Sequence, residues 1–308
     1  MKRALVLGGL LSTAALTVTL AALQQAPPAP MVIEVDKLKD NLYVLKGGGG
    51  NTALFITATG AVVVDTKLPG WGQPLLEKIK TLTNKPVTTI INTHTHFDHV
   101  SGNVDFPATV EVIAHENTKT YMDEANPVYG LQTGPQANIF KEHGGQGMPK
   151  RTFKDKMTIG AGADRIDLYY FGRAHTSGDA FVIFPALRVM HTGDTFPNKG
   201  MPIMDINNGG SGLAYADTLE KAAKVQNIDI VITGHNQTTL TSADIQTYAE
   251  FVRDFVATVR AAKKAGQSID DVANSWKMPE RFVKQGFAAN TPVNRVKPNV
   301  EVLWKELN

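Results

Sequence analysis

The sequence of 308 residues contains no cysteine. Disulfide bonds, thiolate metal ligands and lipid attachment to an N-terminal cysteine are therefore excluded, so any metal site must use histidine and carboxylate side chains. The sequence also lacks an excess of either charge, because 31 Lys and Arg residues face 29 Asp and Glu residues. This balance gives no support for nucleic acid as a partner, and we expect a small-molecule substrate.

Long apolar runs are rare, and the one clear case lies at the N-terminus. Residues 4–22 carry no charge, follow Lys2 and Arg3, and precede a Pro-rich stretch at 26–30. This pattern is typical of a secretory signal peptide, which we place at residues 1–26. We expect a periplasmic or secreted protein without stable membrane association after cleavage. The competing interpretation is an uncleaved N-terminal anchor.

Residues 27–240 predict an α/β domain, and residues 241–308 predict a helical extension packed on it. Short apolar runs between turn-forming residues indicate strands, and the continuous run Ala61–Val64 is typical of a strand buried on both faces. Two β-sheets packed face to face, with helices outside, would bury such strands. The expected strands cover residues 31–35, 42–45, 53–56, 61–64, 87–91, 110–113, 165–170, 180–184, 188–191 and 228–232.

Helical periodicity is clearest from Ser242 onward, where apolar residues recur on one face. The C-terminal helices are expected to break at Pro279, Pro292 and Pro298. The segment 127–150 is rich in Gly and Pro and shows no clear periodicity. Loops of this length are often either functional lids or disordered segments, and as a lid this one would narrow the pocket.

The strongest signal is the stretch Thr93–His99, which reads THTHFDH. It places three imidazoles and a carboxylate directly after the apolar run Val87–Ile91. Neutral imidazole and carboxylate oxygen are the ligands that Zn²⁺ takes when no thiolate is present. A loop that leaves a strand can turn several such side chains toward one point. The stretch therefore predicts a metal site whose remaining ligands come from elsewhere in the chain.

Three further metal-binding residue types follow strand-like runs. His175, Asp194 and His235 each lie just beyond such a run, and functional groups collect where the strands of α/β folds end. We expect these three side chains to converge with the His-rich stretch on one edge of the sheets. His191 lies within a strand and is expected to be buried and hydrogen-bonded, whereas His143 is expected in a solvated loop.

This order of residues resembles the metallo-β-lactamase superfamily over about residues 42–235. The superfamily's His-x-His-x-Asp-His motif is followed by a lone His, an Asp and a Gly-His, and every one of these positions is filled here. The resemblance implies a four-layer αββα sandwich with two metal ions, expected to be Zn²⁺, with Fe or Mn as alternatives. It implies that the first ion is held by His94, His96 and His175, the second by Asp98, His99 and His235, and both by a bridging Asp194.

The resemblance also implies roles for four aspartates. Asp98 and Asp194 would be catalytic, because Asp98 could orient the nucleophile or carry a proton beside the bridged metal ions. Metal-bound histidines need an acceptor for their second ring N–H, and Asp65 and Asp179 are the candidates for that support.

The predicted reaction is metal-assisted hydrolysis, in which a metal-bound hydroxide attacks an ester, thioester, lactone or β-lactam carbonyl. True β-lactamases usually carry Cys or Ser at the position of Asp194 and a long flap where this chain has Gly47–Gly50, so a dedicated β-lactamase is disfavoured. The chain looks most like an exported, glyoxalase- or cyclase-like branch. Lys199, just past the bridging residue, is a candidate contact for a substrate carboxylate.

Two other functions stay open at this point. A mononuclear iron site built from His94, His175 and Asp194 would suit oxygen chemistry, as in the persulfide dioxygenases of the superfamily. A non-catalytic metal-binding scaffold is the second alternative. The complete second set of ligands argues against both.

Overall fold

Two mixed β-sheets stack face to face in the computed structural model, which describes residues 31–236 and 239–307. The signal peptide expected at residues 1–26 lies outside the described residues. The first sheet contains, in spatial order, β1 (Glu34–Lys39), β2 (Leu42–Lys46), β3 (Thr52–Ile56), β4 (Ala61–Val64), β5 (Val87–Ile91), β6 (Glu111–His115) and β7 (Arg151–Phe153).

The first sheet changes direction at its centre. Strands β1 to β4 form an antiparallel meander, and β4 to β7 run parallel to one another. Because β4 and β5 are parallel, their carboxyl ends meet at the same edge, and both lead into polar loops. The second sheet contains β8 (Lys156–Ile159), β9 (Ile166–Tyr170), β10 (Ala180–Phe184), β11 (Val189–His191) and β12 (Ile230–Ile232), with only β11 and β12 parallel.

Helices cover the outer faces of both sheets. Helix α1 (Gly72–Leu82) packs Leu75 and Ile79 against the first sheet, while the interior between the sheets is filled by residues such as Phe55 and Phe184. A third cluster joins the outer face of the second sheet to the remaining large helices. The helices are α1 (Gly72–Leu82), α2 (Phe97–Val100), α3 (Glu116–Glu124), α4 (Ile139–Glu142), α5 (Gly212–Ala223), α6 (Ser242–Lys264), α7 (Ile269–Ser275), α8 (Glu280–Val283) and α9 (Val293–Glu306).

This arrangement confirms the expected αββα sandwich with extra C-terminal helices. Helix α6 begins with a capping box between Thr241 and Asp244 and buries the predicted apolar face, including Tyr248 and Phe255. No helix of residues 31–236 and 239–307 is long and apolar enough to cross a membrane.

Two strand predictions need correction. The first strand is Glu34–Lys39 instead of residues 31–35, because it pairs with β2 across the tight turn at Asp40 and Asn41. As an edge strand it is half-exposed throughout, so its sequence lacks the apolar run of a buried strand. Strands β7 and β8 were not predicted for the same reason, since most of their residues are at least partly exposed.

The expected break at Pro298 is wrong, although Pro279 and Pro292 do lie directly before helices α8 and α9. Pro298 lies inside α9, where a proline costs about 3 kcal/mol. The helix also buries Val300 and Leu303, among other apolar side chains, and each such burial contributes about 1.5–3 kcal/mol. The buried face therefore outweighs the lost hydrogen bond.

Candidate metal centre

The loops at one edge of the two sheets bring all seven expected ligand residues together. Within each of two groups, one nitrogen or oxygen atom per residue lies within 4.8 Å of the others. The first group is His94, His96, His175 and Asp194, and the second is Asp98, His99 and His235. Each group takes residues from the motif after β5. The first group adds His175 from the loop between β9 and β10 and Asp194 from the loop after β11, and the second group adds His235 from the loop after β12.

Asp194 lies between the two groups. Its Oδ1 is 3.2 Å from Nε2 of His99, and its Oδ2 is 3.2 Å from Nε2 of His235 and 3.8 Å from Nε2 of His175. One carboxylate thus faces both sets of imidazoles. This is the geometry that a bridging ligand requires.

Several atoms at this point are buried without a hydrogen-bond partner among the described residues. They are Nε2 of His94, Nε2 of His99 and Oδ1 of Asp194; the last two are close together but are not aligned as a hydrogen bond. Leaving a buried polar group unpaired costs about 1–3 kcal/mol. A cation would satisfy all three, and their nitrogen and oxygen atoms form a donor set that suits zinc. The residues therefore fit the metal ions that the sequence predicts.

The electrostatics of the histidines follow from burial and from the neighbouring carboxylates. Burial and the nearby imidazoles hold the pKa of His94 well below its usual value, and burial together with His96 lowers the pKa of His175 to about 3. Burial also opposes charge on His99, but nearby carboxylates outweigh it and raise its pKa well above the usual value. The charge of Asp194 raises the pKa of His235.

Asp65 supports the His-rich loop as expected. Its carboxylate accepts hydrogen bonds from Nδ1 of His99 at 2.7 Å, from the Thr93 backbone N–H at 2.8 Å and from the Thr93 hydroxyl at 2.7 Å. The same hydroxyl lies 3.0 Å from Nδ1 of His94. One buried carboxylate therefore orients two rings, and each ring presents Nε2 to the cluster.

Asp205 has the same relation to His96, and the sequence did not reveal it. Its Oδ2 accepts from Nε2 of His96 at 2.7 Å, so this ring presents Nδ1 to the cluster, 2.9 Å from Nε2 of His175. Asp205 is itself fixed by Asn208 Nδ2 at 2.6 Å and by the backbone N–H of Tyr129 at 3.0 Å. No local pattern marks Asp205, because it lies 109 residues from the ring it holds.

Asp179 and Lys199 make contacts that differ from those that the sequence predicts. Asp179 binds the backbone N–H and hydroxyl of Thr176 rather than a histidine ring, so it holds the loop next to His175; burial raises its pKa to about 7. The ammonium of Lys199 pairs with Asp244 at 2.7 Å and donates to a backbone carbonyl on the C-terminal side of α8. Lys199 is thus a structural contact between this loop and the C-terminal helices, not a group facing the cavity.

The glycine loop at residues 47–50 packs directly against the cluster. A Cβ atom on Gly50 would lie 2.1 Å from Cε1 of His99, and the Gly50 N–H donates to the Asp98 carbonyl at 3.0 Å. The fully buried ammonium of Lys67 donates to the carbonyls of Leu45 and Gly50 at 2.5 and 2.6 Å. Burial lowers the pKa of this lysine to about 7. Lys67, which the sequence did not single out, therefore ties the loop in place.

The remaining histidines stay outside both groups. His191 is buried, with Nε2 3.2 Å from the Asn51 carbonyl oxygen and Nδ1 accepting from the Gly193 N–H, as expected for a core histidine. His143 is exposed after α4, and His115 caps the start of α3.

Two cavities open beside the cluster. The first, of about 310 Å³, is bounded by both donor groups and by Asn198, Ile203 and Arg295. The second, of about 350 Å³, is mainly apolar and is formed largely by the segment 121–142, which overlaps the irregular segment 127–150. The two cavities share His96, Phe97 and Val128 in their walls.

Comparison with known proteins identifies a family and several related sequences. The chain matches the profile of the metallo-beta-lactamase superfamily over residues 45–235. It is 27% identical over 225 residues to the metallo-beta-lactamase type 2 of Elizabethkingia meningoseptica, covering 66% of this chain and 79% of that protein. It is 25% identical over 164 residues to the 2,4-dinitroanisole O-demethylase subunit alpha of Nocardioides sp. (strain JS1661), covering 52% of this chain and 45% of that protein.

Solved structures show the same fold at lower identity. A metallo-beta-lactamase from Pontibacter korlensis gives a TM-score of 0.59 at 18% identity and covers 72% of this chain and 99% of that one. A sec-alkyl sulfatase gives a TM-score of 0.62 at 16% identity and covers 89% of this chain and 50% of that one. Because the profile spans more than half of the sequence and the fold agrees, the chain belongs to the metallo-beta-lactamase superfamily.

Proposed function

We propose that this metal-dependent hydrolase is an exported dizinc enzyme that cleaves an ester, thioester, lactone or β-lactam bond. The observation that carries the proposal is the pair of complete donor groups joined by Asp194, whose buried nitrogen and oxygen atoms include several without a hydrogen-bond partner among the described residues. The first zinc ion would be held by His94, His96 and His175, the second by Asp98, His99 and His235, and both by Asp194.

The chemistry divides between the metal ions and the chain. Zinc ions held by these residues would supply a nucleophile at neutral pH and polarise the scissile carbonyl. Asp98 is 20% exposed and borders the cavity, and its Oδ2 lies toward His99 and His235. Its other carboxylate oxygen would therefore orient the attacking water and accept its proton. Asp194 is buried, and the charges of His235 and His99 outweigh that burial and hold its pKa well below the usual value. It therefore stays ionised across the working pH range.

The completeness of both groups favours the hydrolase over a mononuclear iron oxidoreductase. Iron chemistry of that kind would need only His94, His175 and Asp194, and would leave Asp98, His99 and His235 without a purpose. Nε2 of His99 is buried without a hydrogen-bond partner among the described residues, which would cost stability in the absence of a metal ion, so this atom supports a second ion. The same argument disfavours a scaffold with one structural metal ion.

Metal content and turnover test the proposal together. We expect about two zinc ions per chain by mass spectrometry of the purified protein, and hydrolysis in a panel of β-lactam, thioester, lactone and aryl ester substrates. Asp194→Ala should bind less zinc and lose hydrolysis. One iron ion per chain with oxygen consumption would contradict the proposal, as would full hydrolysis by Asp194→Ala.

Export needs a separate test, because it rests on the composition of residues 1–26 alone. We expect the protein in the periplasmic fraction or the medium, with a mass smaller than the full chain by the signal peptide. A full-length protein retained in the cytoplasm would refute this part.

A further inference from the structure

Arg295 places a cation at the metal cavity. It is half-buried near the start of α9 and lines the same cavity as His175, Asp194 and His235. Its guanidinium makes no hydrogen bond or ion pair with any residue in the described ranges. Arg165, Arg188 and Arg253, by contrast, pair with carboxylates.

The position of Arg295 is fixed by the packing of α9. Asn299, one turn later and buried, accepts from the Met204 N–H at 2.9 Å and donates to the carbonyls of Pro202 and Arg295 at 2.8 and 3.0 Å. These bonds join the helix to the loop that also carries Asp205. These buried contacts therefore hold the backbone of Arg295 near the cluster. A half-buried guanidinium at this position, unpaired among the described residues, favours an anionic ligand.

The second cavity favours a different chemical group. Its walls include Val100, Met122, Ile139 and Phe140, and it adjoins the metal cavity at Phe97, a residue that is 36% exposed. A cavity of about 350 Å³ with apolar walls suits an acyl or alkyl group of roughly six to ten carbons. An apolar group placed there would leave the scissile bond in the metal cavity, where Arg295 is the available cation.

We propose that the substrate is an anionic amphiphile, with a carboxylate bound by Arg295, a scissile carbonyl at the metal cluster and an apolar group in the second cavity. The position of the scissile bond in this inference rests on the proposed hydrolase function. The carboxylate contact and the apolar cavity do not depend on that function. Arg295 thereby takes the role that the sequence had suggested for Lys199. The C-terminal helices become part of the substrate site.

A matched pair of esters tests the carboxylate contact. We expect zinc-loaded protein to hydrolyse 4-(octanoyloxy)benzoate with a kcat/KM about 10- to 100-fold above that of neutral 4-(octanoyloxy)benzamide. Arg295→Gln should bring this ratio close to one, and Arg295→Lys should restore part of it. Lys297→Gln is the control, because it removes the same charge from the same helix at a residue paired with Asp270. The proposal would be overturned if the ratio were unchanged in Arg295→Gln, including the case in which kcat/KM falls equally for both esters.

Chain length tests the apolar cavity. Between acetyl and octanoyl esters of 4-hydroxybenzoate, each methylene should raise kcat/KM by up to about fourfold until the cavity is full. Ala137→Trp places an indole in this cavity and should bring the octanoyl-to-acetyl ratio close to one. A ratio that stays high in this variant would refute the assignment of the cavity.

Binding separates failure of this proposal from failure of the hydrolase function. The non-hydrolysable amides 4-(octanoylamino)benzoate and 4-(octanoylamino)benzamide can be titrated calorimetrically into zinc-loaded protein. Preferential binding of the anionic amide that is lost in Arg295→Gln, but kept in Lys297→Gln, would support the subsite even if no ester were hydrolysed. Equal binding of both amides by the unmodified protein would overturn it.

Discussion

Replacing Gly50 by alanine should damage one half of the metal centre selectively. The added Cβ would lie 2.1 Å from Cε1 and 2.5 Å from Nε2 of His99. Ordinary carbon contacts begin near 3.5 Å, so the ring or the loop must move by about 1.4 Å. The ring cannot yield easily, because it is fully buried and its Nδ1 is held by Asp65 at 2.7 Å.

The size of the effect follows from this displacement. Metal–ligand distances must be met to about 0.2 Å, so a shift of more than 1 Å removes His99 as a ligand. We expect Gly50→Ala to keep the zinc ion held by His94, His96 and His175 and to lose most of the second equivalent. Misplacement on this scale should lower kcat/KM by about 100-fold or more.

Gly60→Ala is the matched control for overpacking. Its Cβ would lie 2.6 Å from Cγ2 of Thr88, away from every histidine of the cluster, so it should lose a similar 1–3 kcal/mol of stability while keeping both zinc ions. Zinc titration against a chromophoric chelator, together with thermal unfolding, separates the two variants. The reasoning is refuted if Gly50→Ala binds the second zinc ion with unchanged affinity and retains its activity.

Three further outcomes follow from the contacts around the cluster. Asp205→Asn removes the charged acceptor of the His96 ring and should weaken zinc binding about 10- to 100-fold in a chelator competition, whereas unchanged affinity would mean that Asp205 is not its support. Lys67→Met leaves two buried carbonyls without their donor and should lower the free energy of unfolding of the metal-free protein by about 1–3 kcal/mol in urea; no change would contradict this. The carboxylates raise the pKa values of His99 and His235 in the metal-free protein, so these rings hold protons at higher pH and zinc must displace them. Zinc affinity should therefore fall as the pH drops from about 8 to about 6, with proton release on binding, and a flat profile would refute this linkage.

Local patterns were sufficient where the determining residues are close in sequence. The strands β3, β4 and β10 are nearly continuous apolar runs because both faces of each strand are covered, so the chain shows them directly. The predicted position of the edge strand β1 was wrong, and helix α9 was predicted to break at Pro298. Both errors arose because the residues that stabilise these elements lie outside the elements themselves. Their stability comes from a neighbouring strand and from a shared core, neither of which has a local signature.

The candidate site also contains residues that local sequence patterns predict and residues that they do not predict. Residues 94–99 lie in one loop after a buried strand, and His175, Asp194 and His235 each follow a strand-like run, so order and residue type predicted their convergence. Asp65 could be predicted too, because it closes a strand parallel to the one before the motif.

The sequence by itself thus determined the donor set, its order and the reaction class, because ligand chemistry depends on residue types that a loop after a strand can present together. Only the tertiary structure decided which side chains support and surround that set. Asp205 holds His96 across 109 residues, Lys67 holds the glycine loop, and Lys199 turns toward Asp244 while Arg295 faces the cavity. These contacts join segments that are remote along the chain, and their partners are set by how the sheets and C-terminal helices pack.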